Sequence, residues 1–141
     1  MNQMKILVVS HGGLAEGAVR AARMIAGRLE QLHYLCLDED SDIAEFRRRL
    51  SEKLSQLSDA GQLVVLADIQ GGSPFTQTVE LLAETGLSER AFVVTGVNLP
   101  LLLALSFQTE PLSRESLLAV IAQAREGTRL YEAEDDEDED L

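Results

Sequence analysis

Four short apolar runs, "KILVV" (Lys5–Val9), "LHYLCL" (Leu32–Leu37), "LVVLA" (Leu63–Ala67) and "AFVVT" (Ala91–Thr95), alternate along this chain with segments of helical period. The first, third and fourth are almost wholly apolar, the pattern of parallel strands covered on both faces. Between the second and third, Ile43, Phe46, Leu50, Leu54 and Leu57 recur at helical steps with charged residues off the stripe. Asp42 and Glu45 supply a capping pair at its start. A weaker stripe, Leu14, Ala18, Ala21, Ile25 and Leu29, follows the first run, and Phe75, Val79 and Leu82 follow the third. Leu117, Ile121 and Ala124 mark a last helix opened by Ser113 and stopped by Gly127, and "RLYE" after it reads as a short final strand. Such alternation predicts an α/β protein: a three-layer open sheet, mainly parallel, with helices on both faces.

The length of 141 residues fits one domain. Formal charge is −12, so there is no basic surplus to neutralise nucleic-acid phosphates. Eight of the carboxylates crowd into "EAEDDEDEDL", residues 132–141. Without them, acidic residues outnumber basic ones only slightly. The predicted organisation is therefore a folded unit over 1–131 and an acidic, disordered tail over 132–141. One cysteine, Cys36, excludes an internal disulfide and a cysteine zinc cage. The longest apolar stretch, "LPLLLAL", is far short of a membrane span, and "MNQMKILVV" enters a strand without a signal-like segment. No direct membrane insertion and a cytoplasmic location are expected.

In open α/β sheets, ligands bind beyond the carboxyl ends of the strands, where strand order reverses. With the order 2-1-3-4, the reversal falls between strands one and three. "SHGG" after the first, "DIQGGSPF" after the third and "GVNLP" after the fourth then gather at one edge. His11 would face Asp68 there. An imidazole is a nucleophile near neutral pH, and a carboxylate that accepts the proton of one ring nitrogen leaves the other free. The plain alternative is a histidine that fills a turn.

Gly71 and Gly72 let backbone approach a ligand closely, Ser73 is placed to cap the next helix, and Pro74 suits its first position. Together they aim free N–H groups and a helix dipole at one spot, which favours an anion such as phosphate. An ordinary well-capped helix would carry the same residues. Asn98 either orients a ligand or holds its turn. His33 lies inside the second strand, away from that edge, and reads as structural. With one histidine and one carboxylate at the edge, no metal site is expected.

These motifs carry a family likeness. From about Met4 to Tyr131 the chain resembles the IIA component, mannose family, of the bacterial phosphoenolpyruvate-dependent sugar phosphotransferase system: "SHG", "DIQGGSPF" and "GVNLP" occur in order. The resemblance implies that His11 accepts phosphate from the histidine phosphocarrier protein and passes it to a histidine of a IIB component. It implies that Asp68 orients the ring for transfer at Nε2, that Ser73 binds phosphoryl oxygens, and that no small-molecule cofactor is needed. It also implies a homodimer in which a terminal strand, here "TRLYE", crosses to the other subunit.

Other phosphohistidine chemistry fits less well. Histidine phosphatases and mutases want an arginine before the histidine, where this chain has Ser10. A receiver domain needs an acidic pair after the first strand, and "VVSHGG" has none. A regulatory module, whose His11 phosphorylation state controls binding to a target protein without sugar transport, keeps the chemistry and changes its purpose.

Overall fold

Each apolar run becomes a strand because both of its faces meet helices. The computed structural model describes residues 3–27 and 29–133. Four parallel strands, β1 (Met4–His11), β2 (Leu32–Leu37), β3 (Gln62–Ala67) and β4 (Ala91–Thr95), form one sheet in the order β2-β1-β3-β4. The predicted fold class holds. In register, Val8 sits between Tyr34 and Leu66, and Val9 between Leu35 and Ala67.

Alternate side chains of the central strands enter two cores. Ile6, Val8, Val64 and Leu66 face α1 (Leu14–Ala26), α4 (Leu99–Ser106) and α5 (Arg114–Arg125). Leu7, Val9, Val65 and Ala67 face α2 (Ile43–Gln56) and α3 (Ser73–Glu84). Phe46, Leu50 and Leu54 of α2 are buried as the stripe predicts, and burying a side chain the size of Phe46 stabilises by roughly 1.5–3 kcal/mol. Asp42 accepts the Glu45 N–H at 2.8 Å, whereas the Glu45 carboxylate turns to Arg48 instead of completing a reciprocal cap. Ser113 does open α5 with a reciprocal cap, made with Ser116.

Two stripes need correction. The buried residues of α1 are Ala15, Val19 and Ala22, and Leu14 and Ile25 are exposed. Small side chains let α1 settle close to the sheet, so the larger apolar residues are the ones left outside. In α3, Pro74, Thr78, Leu81 and Leu82 are buried while Val79 is exposed.

The predicted final strand does not form within the single chain: Arg129–Glu132 has no strand structure, and Leu130 and Tyr131 are exposed. A strand needs a neighbouring edge to take up its N–H and C=O groups, and this segment meets none. The acidic run lies, from residue 134 onward, outside the described residues. Among the described residues, no helix is long and apolar enough to cross a membrane.

Candidate phosphohistidine site at the carboxyl edge

β1 and β3 are adjacent, so the residues that leave their carboxyl ends meet at the reversal of strand order. His11 is the last residue of β1, opposite Leu37 of β2. Asp68 follows β3 directly and extends its ladder by donating its N–H to the Val9 carbonyl at 3.2 Å. That register brings the two side chains together, as the sequence predicts.

Asp68 holds His11 twice. Its Oδ2 accepts the His11 backbone N–H at 2.8 Å and lies 2.8 Å from ring Nδ1, and its Oδ1 accepts the Ile69 N–H at 2.9 Å. Burial alone pushes this carboxyl up. The bonds from the His11 backbone, the His11 ring and the Ile69 N–H outweigh that and hold it below the usual carboxylate range. An ionised carboxylate only accepts hydrogen bonds, so Nδ1 is the nitrogen that carries the proton. In the neutral ring the free lone pair is then on Nε2. The Asp68 side chain is only 10% exposed and the His11 side chain 48%, which gives an anchored base to an open imidazole.

The other side of the ring is closed by the start of α3. Gly71 turns the chain at a φ of +93°, and Gly72, in extended conformation, precedes the helix. A β-carbon on Gly72 would lie 2.5 Å from Cε1 and 3.0 Å from Nε2 of His11, so backbone sits where any side chain would collide with the imidazole. The helix start thus flanks the free nitrogen. Its Ser73 and Phe75 N–H groups have no intrahelical partner, and Pro74 has none to offer, so the dipole and the open donors favour an anion at this point.

Ser73 is not the cap that its sequence position suggests. Gly72 takes the capping position, with no side-chain hydrogen bond, and Ser73 is the first helical residue, half-buried. Its hydroxyl is therefore not committed to capping. The glycine holds that position because only a residue without a side chain fits against the ring. Substituting Gly72→Ala should push the imidazole off its position while leaving the fold intact. A misplacement of about 1 Å costs roughly 100-fold in any chemistry that depends on where the ring sits. The NMR ring signals of His11 in the variant, beside its melting curve, check this; unchanged ring signals would mean that Gly72 does not set the position of the imidazole.

Ser10 sets the loop. Its fully buried hydroxyl accepts the Ala15 N–H at 2.7 Å and donates to the Gly12 carbonyl at 3.1 Å. It thereby ties the turn after His11 to the first turn of α1. A serine at the inward-facing end of an otherwise apolar strand was the available signal. Asn98 holds its turn: Oδ1 accepts the Leu101 N–H at 2.8 Å, and Nδ2 donates to the Ala124 carbonyl at 3.4 Å. His33 lies within β2, apart from this edge.

A family model described as "PTS system fructose IIA component" matches residues 5–122. The chain belongs to this IIA family. It is 24% identical over 130 residues to the mannose-specific EIIAB component of Escherichia coli K12, covering 91% of this chain and 39% of that protein. It therefore spans about two fifths of that relative. It is also 24% identical over 115 residues to the fructose-specific EIIA component of Bacillus subtilis 168, covering 82% of this chain and 77% of the relative. Among solved structures, the IIA protein associated with the fucose utilization operon of Streptococcus pneumoniae superposes with a TM-score of 0.78 at 26% identity, covering 97% and 98% of the two chains. The mannose/sorbose IIA subunit of Enterococcus faecalis shares the fold, with a TM-score of 0.80 at 20% identity over 94% and 96%. As a IIA family member, the chain is a phosphotransferase-system component.

Proposed function

We propose that this IIA chain is a phosphoryl relay in which His11 accepts phosphate from the histidine phosphocarrier protein and passes it to a IIB histidine for sugar uptake. The observation that carries the reading is the two-sided grip on one imidazole. Asp68 occupies Nδ1 at 2.8 Å, and the start of α3 flanks Nε2. The Nε2 lone pair attacks the phosphorus of the donor phosphohistidine. The N–P bond of the donor breaks, its electron pair returns to the donor ring, and a new N–P bond forms on His11. Reversal toward a IIB histidine releases the group. Nδ1 keeps its proton against Asp68 throughout, so the cationic character that grows in the ring on phosphorylation is met by a fixed carboxylate. The unpaired N–H groups of α3 and the Ser73 hydroxyl are suited to the equatorial oxygens. Such a transfer needs positioning and charge stabilisation, and little else from the protein.

The half-exposed ring suits a donor and an acceptor that are themselves proteins. Leu14 and Ile69, at 53% and 56% exposure, follow His11 and Asp68 closely in sequence and provide an apolar rim for docking. The test is to incubate the full chain with phosphoenolpyruvate, enzyme I and the phosphocarrier protein and to follow intact mass. One acid-labile phosphate, placed on Nε2 by phosphorus NMR, supports the relay; no phosphate from a cognate donor set overturns it.

The homodimer belongs to the same reading. Leu130 and Tyr131, 81% and 79% exposed, stand on a segment without a sheet edge, and among the described residues the outer edge of β4 has no strand beside it. Exchange of residues 128–132 between two copies would satisfy both. Sedimentation of the full chain should give twice the 15.4 kDa chain mass, and Leu130→Asp with Tyr131→Asp should return it to that mass. A monomeric parent chain would rule the exchange out.

A further inference from the structure

A second charged site lies at the opposite edge of the sheet from β4. Among the described residues β2 pairs only with β1, and beside it α1 and α2 enclose an open cavity of about 410 Å³, lined by Arg23, His33, Tyr34, Arg49, Glu52 and Lys53 among others. Its volume is that of a small-metabolite site. His11 and the start of α3 are not among its lining residues.

The charge here is uncompensated. On the neighbouring face of α2, Arg47 is paired with Glu80 and Glu84, and Arg48 with Glu45 and Glu52. Arg49 and Lys53, one helical turn apart, have no carboxylate within ion-pair distance among the described residues, and Arg23 donates only to the Leu32 carbonyl, at 3.2 Å. The single acid of the lining, Glu52, is already bound to Arg48 at 2.7 Å. Three cations therefore converge in a chain whose net charge is −12. His33 adds a ring whose Nε2 is buried without a hydrogen-bond partner. Burial, then Lys53, Lys5 and Arg23, hold its imidazole below the ordinary histidine range.

We propose that this cavity binds a small phosphate-bearing anion, held between Arg23, Arg49 and Lys53 with His33 in its wall. Two guanidinium groups and an ammonium suit a phosphate dianion, since arginine presents paired N–H donors and lysine a point charge. The source of the phosphate is either the free ion or a phosphate ester of a sugar-sized molecule.

The full chain would be titrated with inorganic phosphate, with glucose 6-phosphate and, as a neutral control, with glucose, while the ring signals of His33 and His11 are followed by NMR. The expected result is a saturable shift at His33 with at least one phosphate compound and none with glucose. Bound anion offsets the field of Lys53, Lys5 and Arg23, so His33 should also titrate at higher pH in the complex. Replacing Arg49→Ala and Lys53→Ala together, on an outward face of α2, should weaken binding by about tenfold or more. Equal responses to the two phosphates would assign the free ion; a stronger response to glucose 6-phosphate would assign the ester. No saturable shift at His33, a shift confined to His11, or binding undiminished in the double variant overturns the proposal.

Discussion

A His11→Ala chain should gain no acid-labile phosphate under conditions that fully phosphorylate the parent, while its melting temperature stays close to the parent value. Both halves follow from the geometry. The side chain is half-exposed and, among the described residues, its only polar contact is Asp68. Removing it leaves that carboxylate with the His11 backbone N–H and the Ile69 N–H, so no buried charge is stranded. Substitutions of exposed groups outside the core usually change stability by about 0.5 kcal/mol or less, and one lost charged hydrogen bond adds a modest amount. The proposed relay, by contrast, loses its acceptor. The second histidine, His33, has its Nε2 buried against the β2 edge, so it is a built-in control within the same mass measurement. Residual acid-labile phosphate on the His11→Ala chain would sink the assignment of His11. Loss of phosphate together with loss of the folded baseline would instead make His11 structural.

The sheet was legible because apolarity on both faces leaves an unbroken run in sequence. Lys5–Val9, Leu63–Ala67 and Ala91–Thr95 carry that mark, and all three are strands with residues entering both cores. The α2 stripe was legible for the converse reason: one face is apolar and the rest is charged, so period alone identifies the buried side. On α1 the same rule failed. Leu14 and Ile25 are more hydrophobic than Ala15 and Ala22, yet close approach to the sheet selects small residues, and size is invisible to a pattern of apolar against polar. At the site, His11 and Asp68 could be placed together because each directly ends a strand and the two strands are neighbours. Gly72 was legible as a loop glycine, but its contact with the ring was not, since a distance of 2.5 Å between a missing side chain and Cε1 has no sequence period. Gly72, in extended conformation, takes the capping position that Ser73 suggests in sequence. Ser10 is not legible because its bonds to Gly12 and Ala15 are made in the turn after the strand, outside the strand pattern.

Asp68→Asn should lower the rate of phosphate transfer to His11 by roughly 100- to 10,000-fold while leaving Nε2 exposed and the fold in place. The substitution keeps the shape of the side chain but exchanges one oxygen for an NH2 group, which donates. If the amide oxygen faces the ring, Nδ1 still donates, but the fixed negative charge that stabilises the phosphorylated, more cationic imidazole is gone. If the amide nitrogen faces it, Nδ1 must accept, the proton moves to Nε2, and the nucleophilic lone pair is lost. The backbone N–H groups of His11 and Ile69 favour the oxygen on their own sides, so both orientations lose something. The acid response should change as well. The Asp68 carboxyl is held below its ordinary value, so its contribution to stability is fully present above the unfolded-state value, about 3.9, and is lost as pH falls through the lower folded value. Asn has no such transition. In acid unfolding from neutral pH downward, the variant should therefore lack this component, with a shallower fall in stability below about pH 4. Single-turnover transfer rates and acid melts of the same two proteins test both expectations. An Asn variant that transfers at the parent rate would show that the carboxylate only braces the loop, and the nucleophile would then need another means of fixing its tautomer.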